Sequence, residues 1–157
     1  MKKAFAPIVD TSCTMLILGT MPGEKSLELQ EYYGNRGNQF WKLLFTIFGR
    51  EMTHNYDDKK ALLKNNHIAL WDVLEYCERE GSLDSNIKNE VANDFTKFYK
   101  EYPNIKKVFF SSKNAAAYYD KYVGRVEGIE YTVLPSPSGA NATMSFDKKL
   151  EIWKSIL

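Results

Sequence analysis

The chain has 157 residues, 44% apolar and 26% charged, with a net charge of only +1. That length is enough to bury a sizeable core, and the composition is that of an ordinary globular protein. The near-neutral balance excludes a strongly basic global field, so contact with an anionic polymer has to rest on a local patch. Lys97, Lys100, Lys106, Lys107, Lys113, Lys121 and Arg125 are candidates for one, although a solvated surface explains most of them.

Two cysteines, Cys13 and Cys77, stand far apart with no C-x-x-C, which excludes a four-cysteine iron–sulfur site. They read as free thiols in a reducing compartment. Neither His54 nor His67 has a second histidine or a cysteine one turn away, and no metal site and no cofactor are expected. The N-terminal residues are too poor in apolar side chains for a signal peptide, and no stretch is long enough to span a membrane. A cytoplasmic protein is the expectation.

Residues 15–20 form a short apolar run before Pro22-Gly23, which predicts a buried strand ending in a turn. Ser26 is a candidate N-cap for a helix carrying Leu27 and Leu29, with Tyr32-Tyr33 beyond, broken at residues 34–37. Asn38 is a candidate cap for a second helix over 39–48, apolar at Phe40, Trp41, Leu43, Leu44, Ile47 and Phe48. Gly49 ends it. A polar-faced helix is predicted over 57–65 and a second strand over 68–74. Residues 77–87 read as a loop. A helix over 90–102 would turn Val91, Phe95, Phe98 and Tyr102 inward before Pro103. A strand over 107–110, a helix over 113–122 capped by Ser111 or Ser112, and a strand over 131–134 follow. Ser145 caps a last helix with Phe146, Leu150, Ile152, Trp153 and Ile156 on its inner side.

Short apolar strands alternating with helices predict an α/β fold: three α/β/α layers around a central four-stranded, mostly parallel sheet. No repeat, linker or low-complexity tract interrupts it, so residues 1–157 are expected to form one domain.

Two loops stand out. Gly19-Thr20-Met21-Pro22-Gly23 follows the first strand; its glycines allow close backbone approach, and its amides could bind a carbonyl or phosphate oxygen. Pro135-Ser136-Pro137-Ser138-Gly139-Ala140-Asn141 follows the last strand, stiff and rich in hydroxyl and amide groups that suit phosphate. Loops at the carboxyl ends of parallel strands are where such sheets bind ligands. Asn38-Gln39-Phe40-Trp41 lies between them in sequence. Asn38 serves there as a helix cap or a functional amide, and Phe40 lies near enough to the crevice to stack on a planar ligand. Asp72, at the end of the second strand, is either catalytic or a loop-holding carboxylate.

These motifs, in this order and spacing, resemble the uracil-DNA glycosylase superfamily. Tyr32-Tyr33, Trp71-Asp72-Val73 and the stretch from Cys77 to Asp84 are similar to its hypoxanthine-DNA glycosylase branch, and the likeness spans residues 15–157. The resemblance implies a base-excision repair enzyme that flips a deaminated base, most of all hypoxanthine, from double-stranded DNA and hydrolyses its glycosidic bond. It implies Asn38 as the residue that orients water toward C1′. It also implies Gly19, Thr20, Met21, Pro22, Gly23 and Phe40 around the base. Ser136, Pro137, Ser138, Gly139, Ala140 and Asn141 would lie on the DNA, with Ala140 or Asn141 near the wedge position. A monomer is expected, since a duplex must reach the crevice. Met21 stands where many superfamily members carry Asp or Asn, and a thioether cannot position water. Two other readings remain open: a uracil or mismatch-specific glycosylase, and a non-catalytic nucleic-acid-binding module on the same fold.

Overall fold

The central strand of the protein shows why its sequence reads as one apolar run. In the computed structural model, which describes all residues 1–157, strand β2 (Met15–Gly19) lies between two parallel neighbours. These are β3 (Ile68–Asp72) and β6 (Lys107–Phe110). A fourth parallel strand, β7 (Glu130–Val133), pairs with β6, giving the order β3-β2-β6-β7. Side chains alternate between the two faces. Leu16 and Leu18 enter one core with Trp71, Val108 and Phe110, while Ile17 enters the other with Ile68, Leu70 and Phe109. Both faces are covered, so neither needs polar residues.

Helices supply the covers. On one side lie α2 (Phe40–Ile47), α3 (Tyr56–Asn65) and α6 (Phe146–Trp153), through Phe40, Trp41, Leu44, Leu62, Leu63 and Trp153. On the other lie α4 (Phe95–Glu101) and α5 (Lys113–Tyr122), through Phe95, Phe98, Ala115 and Tyr119. A short helix α1 (Glu24–Leu29) follows the first loop. The three-layer arrangement with a four-stranded parallel sheet is the one expected from the sequence. The N-caps Ser112 and Ser145 also stand where expected, accepting the N–H groups of Ala115 and Lys148 at 3.1 and 3.2 Å. Ile152, expected inward on α6, is 38% exposed.

A second sheet was not expected. The 68–74 run breaks at Val73, and the chain re-emerges as β4 (Leu74–Glu78). This strand pairs antiparallel with β1 (Lys2–Lys3) and with β5 (Lys88–Ala92). The predicted 77–87 loop is therefore strand at its start, with Cys77 fully buried. The predicted 90–102 helix begins only at Phe95. Asp94 caps it by accepting the Lys97 N–H at 3.0 Å, and Asn93 lies between strand and helix with its N–H donated to the Val73 carbonyl at 2.9 Å. Val91 consequently sits on an edge strand at 49% exposure. Asp at an N-cap stabilises the start of a helix by binding its free amides, and here that outweighs the helix-like spacing of the residues before it.

Ser26 is likewise inside α1, whose N-cap is Gly23. Its buried hydroxyl accepts the Gly34 N–H at 2.9 Å and folds the chain back after the helix.

Leu16 is fully buried on the central strand. Leu16→Ala is expected to lower the unfolding free energy by about 2–5 kcal/mol. Urea unfolding checks this as a lower midpoint at unchanged slope; a midpoint equal to that of the wild type would contradict the packing described.

Candidate active site

All four parallel strands end at one cleft of about 900 Å³. Its floor is built from backbone and short side chains. Gly19 closes β2, Asp72 closes β3, and Ser111 follows β6. A Cβ on Gly19 would stand 2.6 Å from Asp72 Oδ1 and 2.9 Å from the Tyr33 hydroxyl. Glycine is thus required by close approach. Tyr33 hydrogen-bonds Ser111 Oγ at 2.9 Å across this floor.

Two floor groups have no protein partner. Thr20 Oγ1 and Asp72 Oδ2 are buried, line the cleft and make no hydrogen bond. Buried polar atoms are normally paired; these two are left without a protein partner at the floor. Burial, with the nearby charge of Asp84, pushes the Asp72 carboxyl up to about 7; the Arg79 guanidinium opposes this. Burial raises the phenols of Tyr32 and Tyr33 above their usual value, so both are neutral.

The first loop forms one wall. Met21 and Pro22 are buried and line the cleft with Gly23. Arg79 holds this wall from behind: its fully buried side chain donates to the Pro22 carbonyl and lies 3.4 Å from Asp84 Oδ1. Ser82 Oγ accepts the Glu24 N–H at 2.8 Å, fastening the start of α1 to the same segment.

The opposite wall is the 135–141 loop. The hydroxyl oxygens of Ser136 and Ser138 accept the amides of Ser138 and Ala140, both at 3.2 Å, and Asn141 Nδ2 donates to the Ser136 carbonyl at 3.1 Å. A hydroxyl that accepts can still donate, so both serines keep a proton for an anion. The loop is tied down beneath. Trp153 Nε1 donates to the Pro135 carbonyl at 2.9 Å, and the buried Lys149 ammonium donates to Gln39 Oε1 at 2.9 Å and the Ser138 carbonyl at 3.4 Å. Gly139 packs against residue 37 so closely that a Cβ would lie 2.7 Å from the Gly37 carbonyl.

Asn38 lies between the walls and lines the cleft. Its Oδ1 accepts the Phe40 N–H at 2.9 Å, which fixes the side chain at the start of α2. An amide oxygen has a second lone pair, available to water. The cap position of α2 is Gln39, so Asn38 is not the cap expected from the sequence; it stands one residue before it.

The expectation for Phe40 is corrected. Its ring is fully buried at the base of α2, with Tyr33 stacked on it at 3.9 Å between centroids and 9° between planes. The aromatic residues that line the cleft are Tyr32 and Tyr33, the latter held there by a left-handed backbone at φ 51°. Such a conformation costs a non-glycine residue roughly 1–3 kcal/mol. Of the basic residues considered for a patch, only Lys113 lines the cleft, joined by Lys25. Lys97, Lys121 and Arg125 pair instead with Glu101, Glu90 and Asp120. No helix is long and apolar enough to cross a membrane. Arg79, Lys149 and Tyr33 carry much of the site; Tyr33 and Arg79 stand out in the sequence only within motifs that carry the resemblance and Lys149 not at all, because no local pattern marks a residue that acts by tertiary placement.

The fold and cleft define an α/β protein with a polar floor between two loops, one of them rich in hydroxyl and amide groups. Comparison with known proteins agrees. Residues 6–157 match the family described as "Uracil DNA glycosylase superfamily". A protein of Methanosarcina barkeri named "Hypoxanthine DNA glycosylase" is 40% identical over 141 residues, covering 89% of this chain and 88% of its own. One of the same name from Methanosarcina acetivorans is 38% identical over 156 residues, covering 99% and 97%. A solution structure described as a putative uracil DNA glycosylase from Methanosarcina acetivorans superposes with a TM-score of 0.83 at 38% identity, covering 99% of this chain and 95% of that one. The protein belongs to the uracil DNA glycosylase superfamily.

Asp72 also sets a pH dependence. Its pKa is higher in the folded protein, about 7, than the ordinary 3.8. The folded state therefore holds more protons than the unfolded one between those values, and stability falls as pH rises through that window. The full effect above it is of the order of a few kcal/mol. Asp72→Asn removes the titration. Urea midpoints of wild type and variant should agree near pH 4, with the variant more stable near pH 8; parallel curves across the range would contradict the assignment.

Proposed function

We infer that the protein is a DNA glycosylase that excises hypoxanthine from double-stranded DNA, acting as a single copy and using water as the nucleophile. The observation that carries this reading is the pair of unpartnered floor groups, Thr20 Oγ1 and Asp72 Oδ2. They lie in a cleft wide enough for a purine nucleoside and are flanked by the serine-rich loop. The names of the two relatives support the choice of base.

A base inside a duplex is out of reach, so it must rotate out of the stack, at a cost of a few kcal/mol that is smallest for a poorly paired base. Deoxyinosine opposite thymine is such a base. The hydroxyls of Ser136 and Ser138, with Lys25 and Lys113 at the rim, hold the phosphates on either side. The extruded base enters beside Tyr33, which lies on Phe40 and forms the aromatic side of the pocket. Its polar edges meet Thr20, Asp72 and the backbone of Met21, Pro22 and Gly23. Gly139, Ala140 and Asn141 stand at the outer lip, where a duplex would part.

Breaking the glycosidic bond leaves positive charge on the sugar and negative charge on the base. Fixed donors at the floor stabilise the second as it forms. Met21 has no group to hold water, which leaves Asn38. Its oxygen accepts a hydrogen bond from water and aims the water's lone pair at C1′; the contribution is one of position, since an amide is no base.

The test uses duplexes with a single hypoxanthine, a single uracil or no lesion, in EDTA, followed by alkali. Cleavage is expected at hypoxanthine well above uracil. Asn38→Ala is expected to lower the single-turnover rate by about 100-fold or more with the unfolding midpoint within the range of a lost cap. Preference for uracil overturns the base assignment; an undiminished Asn38→Ala rate overturns the role of Asn38. DNA binding without release of base overturns the catalytic reading as a whole.

A further inference from the structure

We propose that Asp72 is the general acid that protonates the leaving purine at N7. The proposal rests on the reading of the protein as a hypoxanthine glycosylase and assigns a role to a floor residue which that reading used only for contact.

Three structural observations converge on it. Asp72 is 4% exposed, yet it lines the cleft. Its Oδ2 makes no hydrogen bond, although Arg79 is close enough to feel its charge and lies paired with Asp84 instead. Its Oδ1 sits against the bare Cα of Gly19, so packing holds the carboxyl in place. A carboxylate retained merely to hold a loop would use its oxygens on that loop. Here the loop is held by others: Asn93 Nδ2 takes the Asp72 backbone carbonyl at 2.8 Å, and Arg79 takes Pro22. The side chain is left free for something that enters the cleft.

The surroundings favour the protonated acid. The groups that face Asp72 are the neutral phenols of Tyr32 and Tyr33 from the turn after α1, the Ser111 hydroxyl after β6, and Arg79 and Asp84 from the segment between β4 and β5. Arg79 is engaged by Asp84 and Pro22, and Asp84 repels a second negative charge. Lys25 and Lys113 stand at the cleft rim. Burial and Asp84 together bring the carboxyl to about 7, where it is both populated as an acid and willing to give its proton, as general acids require.

The step balances as follows. The C1′–N9 bond breaks, and its electron pair goes to the purine. The Asp72 proton joins N7, so the base leaves as neutral 7H-hypoxanthine. The water oriented by Asn38 bonds to C1′, and the proton it loses passes to solvent, from which the Asp72 carboxylate is restored. A pyrimidine has no N7, so this device serves purines.

Single-turnover rates of wild type and Asp72→Asn are measured from about pH 5.5 to 9 on hypoxanthine duplexes and on duplexes carrying 7-deazahypoxanthine, which has carbon at that position. For the wild type on hypoxanthine, the rate is expected to be level below about pH 7 and to fall tenfold per unit above it. Asp72→Asn keeps a donor and the shape but has no proton to give. It is expected to be about 100-fold slower near pH 6.5 and flat with pH. Wild type is expected to cleave the 7-deaza duplex at least about 100-fold more slowly, or not detectably, with no further loss in the variant. Equal wild-type rates on the two duplexes, a pH-independent wild-type rate, or an unimpaired Asp72→Asn overturns the proposal. The first two need no variant and so hold even if Asp72→Asn misfolds. Failure of wild type to cleave hypoxanthine at any pH strikes instead at the function from which the proposal starts.

Discussion

Everything in the cleft depends on the absence of one carbon atom. β2 ends at Gly19, and the space a Cβ would fill is taken by the Asp72 carboxyl and the Tyr33 hydroxyl. Three chain segments from distant parts of the sequence meet over that one Cα. With any other residue there, Asp72 would have to move, and Tyr33 would lose its reach to Ser111. Parallel strands make such a meeting possible, because their carboxyl ends lie side by side and their loops leave in the same direction.

Rigidity comes from beneath the loops. Each wall is fastened by a long polar side chain buried behind it: Arg79 under the 20–23 loop, Lys149 under the 136–141 loop. Burying a cation is costly unless its donors are satisfied. Lys149 is held by the Gln39 amide oxygen and the Ser138 carbonyl, and Arg79 by the Pro22 carbonyl and Asp84, although its Nε is left unpaired. The return is positional. A loop tied through its own carbonyls cannot drift without breaking a buried hydrogen bond, so both walls of the cleft are held in position.

The parallel sheet, its order of elements and the two loops were legible because they are written in local patterns. A fully covered strand is a continuous apolar run, and a strand-end loop is a cluster of Gly, Pro and Ser. The second sheet was not legible for the opposite reason. β1 has two residues and β5 reads Lys-Asn-Glu-Val-Ala, so their pairing is a matter of backbone and carries no apolar period. Phe40 shows a subtler limit. Its place in the motif put it near the cleft correctly, but only the left-handed turn at Tyr33 decides which ring faces the opening. Asn38 reads from sequence as the cap of the second helix; the cap position falls to Gln39 instead, and Asn38 Oδ1 accepts the Phe40 N–H from one residue before it.

Asn38 and Asp72 sit in contrasting environments of the same cleft. Asn38, half-buried at a helix start, is neutral at every pH and can only point. Asp72, sealed at a strand end, spends stability on a carboxyl that the fold leaves unpaired. A protein selected for stability alone would replace it with an apolar residue or give Oδ2 a partner. That neither has happened, at the one buried acid facing the cleft floor, is what a working acid would require. The same burial that makes the group expensive when ionised keeps its proton in place until a base arrives to take it.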